Sequence, residues 1–187
     1  METTPFLDDA QLAAGLPGIL AAPRDVGTLE LIVRRPAENQ REVLPEARLE
    51  PAEGVVGDNW RTRGSRSMPD GAANPEMQLN VMGARAVALV AGTRERWALA
   101  GDQLFVDLDL STENLPAGTR LAIGAEAVIE VTAPPHSGCA KFTARFGLPA
   151  MKFVNSPEGK RLRLRGLNAK VVQAGTVRAG DAVRRVR

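Results

Sequence analysis

Along most of the chain, apolar and polar residues trade places in short runs. Leu104 to Leu110 sets Leu104, Val106, Leu108 and Leu110 on one side and Asp107 and Asp109 on the other, the period of a half-buried strand. Leu29 to Val33 is a compact strand-like run stopped by Arg34, Arg35 and Pro36. A polar turn, Pro36 to Gln40, leads into Arg41 to Leu44, which predicts a hairpin. Met77–Met82, Ala84–Ala91, Leu121–Ile123, Ala127–Thr132, Ala169–Gln173 and Ala182–Val186 read as further strands. Lys160 to Arg165 alternates Leu162 and Leu164 with basic residues. Glu53 to Asp58 reads as a strand end or turn, with glycines at the bends.

Helical spacing is rarer. Residues 7–20 place Leu7, Leu12, Leu16 and Ile19 at helical intervals before Pro23 interrupts. Thr93 to Ala100 predicts a short helix, with Thr93 as N-cap and Gly101 just past its end. Cys139, Phe142, Thr143 and Phe146 share one helical face. Trp60 to Pro75 is a long polar loop holding Arg61, Arg63 and Arg66, and loops of that length inside a domain are usually functional or mobile. Short strands at close spacing predict a mainly β fold, a barrel or a sandwich.

Composition narrows the class. The 187 residues suffice for one domain with its own core. With two Trp, five Phe and no Tyr, that core must be mostly aliphatic. No apolar run is long enough to cross a bilayer, and Met1 to Asp9 carries acids but no base, unlike a secretory signal. A single cysteine cannot form an internal disulfide, so cytoplasm is the expected compartment. Net charge is +2, yet Met1 to Trp60 holds eleven acids and five bases, whereas Lys160 to Arg187 holds nine bases and one acid, Asp181. That basic stretch suits water or a phosphate-bearing ligand. Nucleic acid is not expected, because no aromatic residues interleave with its arginines.

The inventory of reactive groups excludes several chemistries. One histidine, His136, and one cysteine, Cys139, cannot build a zinc site or an iron–sulfur centre. There is no phosphate loop, dinucleotide fingerprint or nucleophile elbow. What remains is Pro134-Pro-His-Ser-Gly-Cys-Ala-Lys-Phe142, in which a strand ends at two prolines and Cys139 opens a helix. Partial positive charge at a helix N-terminus favours the thiolate, the form that attacks and binds soft metals, and Lys141 adds charge nearby. A cysteine on an apolar helix face is also often a small buried hydrophobe, and His136 a turn residue, so both readings stay open.

Several stretches, taken together, resemble the MOSC family, named for the C-terminal domain of molybdenum cofactor sulfurase: LELIVRRP (Leu29–Pro36), GVVGDNW (Gly54–Trp60), GDQLFVDLDLSTENLPAGTRLAIG (Gly101–Gly124), AVIEVTAPPHSGC (Ala127–Cys139) and RGLNAKVVQAGTVRAGDAV (Arg165–Val183). The resemblance spans roughly Val26 to Arg187. It implies a closed, complex β-barrel of the pyruvate-kinase-barrel-like kind with a few short flanking helices. Residues 1–25 would then be an N-terminal extension with a short helix, and residues 26–187 the domain.

The resemblance also implies that Cys139 is the family's characteristic cysteine, which carries sulfur in the sulfurase setting and ligates molybdenum in relatives that reduce N-oxygenated compounds. Molybdenum cofactor is the expected ligand. Asp58, Arg61, Arg63, Arg66, Lys141, Arg165 and Asn168 are candidate contacts to the pterin and its phosphate. For Arg165 and Asn168, strand packing and turn formation is the favoured role. Asn59-Trp60 stands where many relatives carry a basic residue or histidine after the Gly-Asp pair. No pyridoxal-phosphate fold is present, so a separate pyridoxal-phosphate-dependent desulfurase, or a molybdoenzyme or redox partner, is expected. Two alternatives remain: a persulfide carrier without catalysis, and an unrelated thiol enzyme with Cys139 as nucleophile and His136 as base.

Overall fold

The structure is a computed structural model and describes residues 6–186; Met1 to Pro5, part of the acidic start, and Arg187, the last base of the C-terminal stretch, lie outside it. The elements in chain order are α1 (Asp9–Leu20), β1 (Val26–Arg34), β2 (Glu42–Leu44), β3 (Glu46–Glu50), β4 (Gly54–Val55), α2 (Trp60–Arg63), β5 (Leu79–Gly83), α3 (Ala84–Ala91), β6 (Leu104–Asp107), β7 (Arg120–Ile123), β8 (Ala127–Val131), α4 (Ala140–Asn155), α5 (Pro157–Arg161), β9 (Leu167–Gln173), β10 (Gly175–Arg178) and β11 (Ala182–Arg185). Short 3₁₀ turns cover Pro75–Met77 and Arg94–Ala100.

Seven strands close into a barrel. Their order is β11-β7-β8-β9-β5-β6-β1, and β1 returns to β11 by pairing Val26, Gly27 and Thr28 with Arg184, Val183 and Ala182. A closed barrel was the expected fold, and it is the one found. Neighbours around it are antiparallel except β5 and β6. The predicted hairpin is present, with Ile32, Val33 and Arg34 of β1 opposite Leu44, Val43 and Glu42 of β2. A small sheet, β10-β3-β4, adds Ala47, Leu49, Val55 and Val177 to the barrel's core.

The alternation read from Leu104 to Leu110 has a structural counterpart with one correction. Leu104, Val106, Leu108 and Leu110 fill the barrel interior. Phe105, on the other side, is also fully buried, because helices cover that face. There it packs with Leu12 of α1, Val87 and Val90 of α3, Trp97, and Phe142 and Phe146 of α4. Burying each such side chain stabilises the fold by about 1.5–3 kcal/mol, so the helical layer is part of the domain's core.

Two further expectations are corrected. Ala84–Ala91 is helix α3, not a strand: its sequence is alanine-rich, and the parallel pairing of β5 with β6 requires a crossover between them. Lys160–Arg165 does not extend as a strand either. It finishes α5 and turns, with Arg163 in the left-handed region at φ 50°. Among the described residues no helix is long and apolar enough to cross a membrane.

Candidate functional site

Most of the buried polar groups among the described residues, Arg35, Gln78, Asp102, Gln103, Arg165 and Asn168 among them, gather at one end of the barrel, around the first residues of β5 and β9. Arg35, just past β1, is clasped by Asp58: Nε donates to Oδ2 and Nη2 to Oδ1, both at 2.9 Å. The backbone N–H of Arg35 also donates to Asp58 Oδ2, and that of Trp60 to Oδ1. Arg35 Nη1 reaches Asn80 Oδ1 at 3.1 Å and the Gly101 carbonyl at 3.0 Å. Both charged side chains are buried, so the pair is a bidentate, desolvated clasp joining β1, β5 and the turn before α2. Asp58 is thereby occupied within the fold.

From Asn80 the network continues. Its Nδ2 donates to Asn168 Oδ1 at 2.7 Å, and Asn168 Nδ2 donates to the carbonyls of Pro134 and Pro135. Asn168 thus ties down the turn that leads to Cys139. Beside it, Arg165 Nη1 donates to Asp102 Oδ2 at 2.7 Å and Nη2 to the Ala100 carbonyl at 2.9 Å, with the guanidinium over the Phe142 ring. The other oxygen of Asp102 faces His136 Nδ1 at 3.4 Å. Burial, followed by the charge of Arg165, pushes the imidazole pKa down to about 3 against the pull of Asp102, so His136 is neutral at ordinary pH.

Cys139 stands at the N-cap position of α4 and is exposed. Its backbone is extended, φ −128° and ψ −179°, and its carbonyl accepts from Thr143 N and Oγ1. The preceding Gly138 is held on both sides by Asn155, which accepts from its N–H and donates to its carbonyl. Downstream, α4 buries Phe142 and Phe146 and then breaks at Gly147, where φ is 88° and a side chain would meet the Phe6 ring. The thiol therefore projects from a rigid loop, anchored by Asn168 before it and by Asn155 at its base. No hydrogen bond links it to His136 among the described residues.

The remaining candidates divide. Arg63 ends α2, where burial and the Arg35 charge lower its pKa while Asp58 opposes them. Arg61, Arg63 and Arg66 are exposed, and Arg63 and Arg66 frame an open depression with Met68 and Pro69. Lys141 forms a surface ion pair with Glu38 at 2.8 Å. The structure thus brings Asp58, His136, Arg165 and Asn168 into one network and leaves Arg61, Arg63, Arg66 and Lys141 on the surface.

Sequence reading missed Arg35, Asp102, Asn80 and Arg41. Arg41 belongs here because burial, Arg145 and Arg35 lower its pKa while Asp58 and Asp102 raise it. Arg35 and Asp102 do lie inside two of the stretches that carry the family resemblance, and that was their only signal. Among the described residues no group of three or more His, Cys, Asp or Glu is placed to hold a metal ion.

The family model of the MOSC domain matches residues 58–184. No curated protein matches the chain. Among solved structures, the YuaD protein from Bacillus subtilis superposes with a TM-score of 0.60 at 14% identity, covering 84% of this chain and 94% of that one. YiiM from Escherichia coli gives 0.54 at 19% identity, covering 86% and 70%. YiiM from Geobacillus stearothermophilus gives 0.51 at 13%, covering 89% and 75%. At such identities the structural likeness speaks for the fold alone.

Proposed function

The chain belongs to the MOSC domain family, and from that premise we propose that it binds molybdenum cofactor at the barrel end described above, with Cys139 as its sulfur ligand. The observation that carries this reading is the placement of the chain's one thiol, exposed at the start of α4 and held beside a buried network of arginines.

The residues fit such a group in three respects. Cys139 offers one soft donor, and among the described residues no cluster of protein ligands competes for the metal, so a metal arriving with its own pterin sulfurs matches the donor set better than a bare ion does. Buried polar atoms at this end of the barrel, Asn59 Oδ1 and Arg41 Nε, lack partners among the described residues. Arg41 feels the charges of Arg145 and Arg35, and Arg63 that of Arg35, with Asp58 and Asp102 the acids that oppose them; such a surplus of cations suits the phosphate of a pterin. When bound, the cofactor supplies a metal centre that exchanges an oxygen or sulfur atom together with electrons. The protein's own part is to bind and orient. Arg63, Arg61 and Arg66 offer charge along one edge, Asn168 fixes the Pro134-Pro135 turn, and Asp58 holds Arg35 away from ligand.

The test is metal content after purification from a molybdenum-replete host, with wild type and Cys139→Ser side by side. Near-stoichiometric molybdenum in wild type, lost in the variant, is expected; equal retention in both sinks the reading.

The exposure of Cys139 favours one second reading, a persulfide carrier loaded by a separate pyridoxal-phosphate-dependent desulfurase, because a thiol on an open loop is accessible to another protein's active site. Protein that carries an extra sulfur on Cys139 by mass, with no pterin or molybdenum, would support it. A carrier needs no fit between the arginines and a phosphate, so retention of cofactor after gel filtration decides against it.

A further inference from the structure

Behind the turn that leads to Cys139 lies a second concavity, of roughly 190 Å³. One wall is the turn itself, with Pro134, His136 and Ser137. The other is the connection from α5 to β9, which contributes Lys160, Arg163 and Arg165. No carboxylate lines it. This is where the alternation of leucine and base in Lys160 to Arg165 leads: Leu164 turns into the core, Lys160, Arg163 and Arg165 border the concavity, and the fourth base, Arg161, pairs with Glu113.

The three bases are not equally satisfied. Arg165 is offset by Asp102. Arg163 has no carboxylate partner among the described residues, although it is half-buried; its Nη1 donates only to the carbonyls of Leu110 and Leu115. Its backbone sits at φ 50°, a region that costs a residue with a side chain about 1 kcal/mol or more. Lys160 has neither an ion pair nor a hydrogen bond among the described residues. A guanidinium taken partly out of water, with no counter-ion, is unfavourable unless an anion completes it.

We propose that this concavity is an oxyanion site, distinct from the thiol, in which Arg163 and Lys160 bind a phosphate-like group and Ser137 supplies a hydroxyl donor. The ligand class follows from the lining: two cations without counter-ions, a neutral imidazole and no acid. The chemistry is that of a free inorganic oxyanion or of the terminal phosphate of a larger molecule. The site does not depend on cofactor binding at Cys139.

His136, the chain's only histidine, borders the concavity and so reports on it. Inorganic phosphate is titrated into ¹⁵N-histidine-labelled full-length protein, with chloride at matched ionic strength as reference. A saturable shift of the imidazole signals with a dissociation constant of about 1 mM or tighter is expected. Lys160→Gln, whose side chain makes no hydrogen bond in the fold, and Arg163→Gln should each weaken binding roughly tenfold. Cys139→Ser should leave it unchanged, even where that variant loses molybdenum. Glycerol 3-phosphate in place of phosphate separates the two sources: about tenfold tighter binding marks a terminal phosphate, and weaker binding a free anion. Absence of a saturable shift, or equal affinity in wild type and Lys160→Gln, overturns the proposal. Lys160→Gln also decides the case if Arg163→Gln fails to fold.

Discussion

Oδ1 of Asp102 faces Nδ1 of His136 at 3.4 Å, while Oδ2 of the same carboxylate takes Nη1 of Arg165 at 2.7 Å. The acid thus stands between a cation and a neutral ring. A carboxylate oxygen opposite Nδ1 favours the tautomer with hydrogen on that nitrogen, which leaves Nε2 with the lone pair. Asp102 occupies in space the position of a group that orients His136, although it lies 34 residues away by number.

This arrangement makes stability depend on pH in a defined direction. The folded imidazole titrates at about 3 and the unfolded one near 6.5. Above 6.5 both states are neutral and the group contributes nothing. Below it the unfolded chain takes up a proton that the fold refuses, so stability falls by about 1.4 kcal/mol per pH unit until the folded pKa is reached. Urea unfolding at about pH 7.5 and about pH 5.5, above the range where most carboxylates titrate, measures the slope. His136→Gln should flatten it; an unchanged slope in the variant refutes the assignment.

Removing the acid from the Arg35–Asp58 clasp should be far more damaging than removing a surface charge. Asp58→Ala leaves a buried guanidinium with two of its nitrogens, the Arg35 N–H and the Trp60 N–H without their acceptor. The expected loss is about 3–5 kcal/mol, read as a lowered urea midpoint. A loss under about 1 kcal/mol would mean that the clasp is solvated in solution.

Cys139 should be almost silent for stability. Its side chain makes no capping bond and is exposed, so Cys139→Ser should change unfolding free energy by no more than about 0.5 kcal/mol, or raise it by up to about 1 kcal/mol through a new N-cap bond. Differential scanning calorimetry checks this. A large destabilisation would mean that the thiol is packed, and any metal loss in that variant could then not be assigned to ligation.

Gly166 is the most sensitive backbone position near the site. Its φ is 102°, and a Cβ there would lie 2.3 Å from the Val81 carbonyl oxygen of β5. Gly166→Ala should cost about 2–4 kcal/mol, and the strain would fall between Arg165 and Asn168, which anchor the network on either side. A midpoint within experimental error of wild type would refute the close approach.

What was legible in the sequence was local. β1, its hairpin with β2, β7, β8 and the start of α4 all follow from runs of apolar residues and their breakers, and Cys139 stood out because no other residue competes with it. β3 and β10 were missed because their partners lie more than a hundred residues apart, and only Ala47, Leu49 and Val177 reveal the pairing. Ala84–Ala91 misled because small apolar residues satisfy either period. Arg35 and Asp102 looked like a strand stop and a loop acid; their meaning lies in Asp58, Arg165 and His136, which only the closed barrel brings near them.

Closure by β1 and β11 has a consequence for how the molecule is made. Val26 to Thr28 emerge early during synthesis, but the partners that complete their pairing, Ala182 to Arg184, follow more than 150 residues later. Until then β1 can pair only with β2 and β6, and the Val26–Thr28 part of the flank it shares with β2 stays open to other chains. The nascent polypeptide therefore cannot seal its barrel while those last strands are still inside the ribosome, and a chaperone that shields the open edge should raise the yield of folded protein.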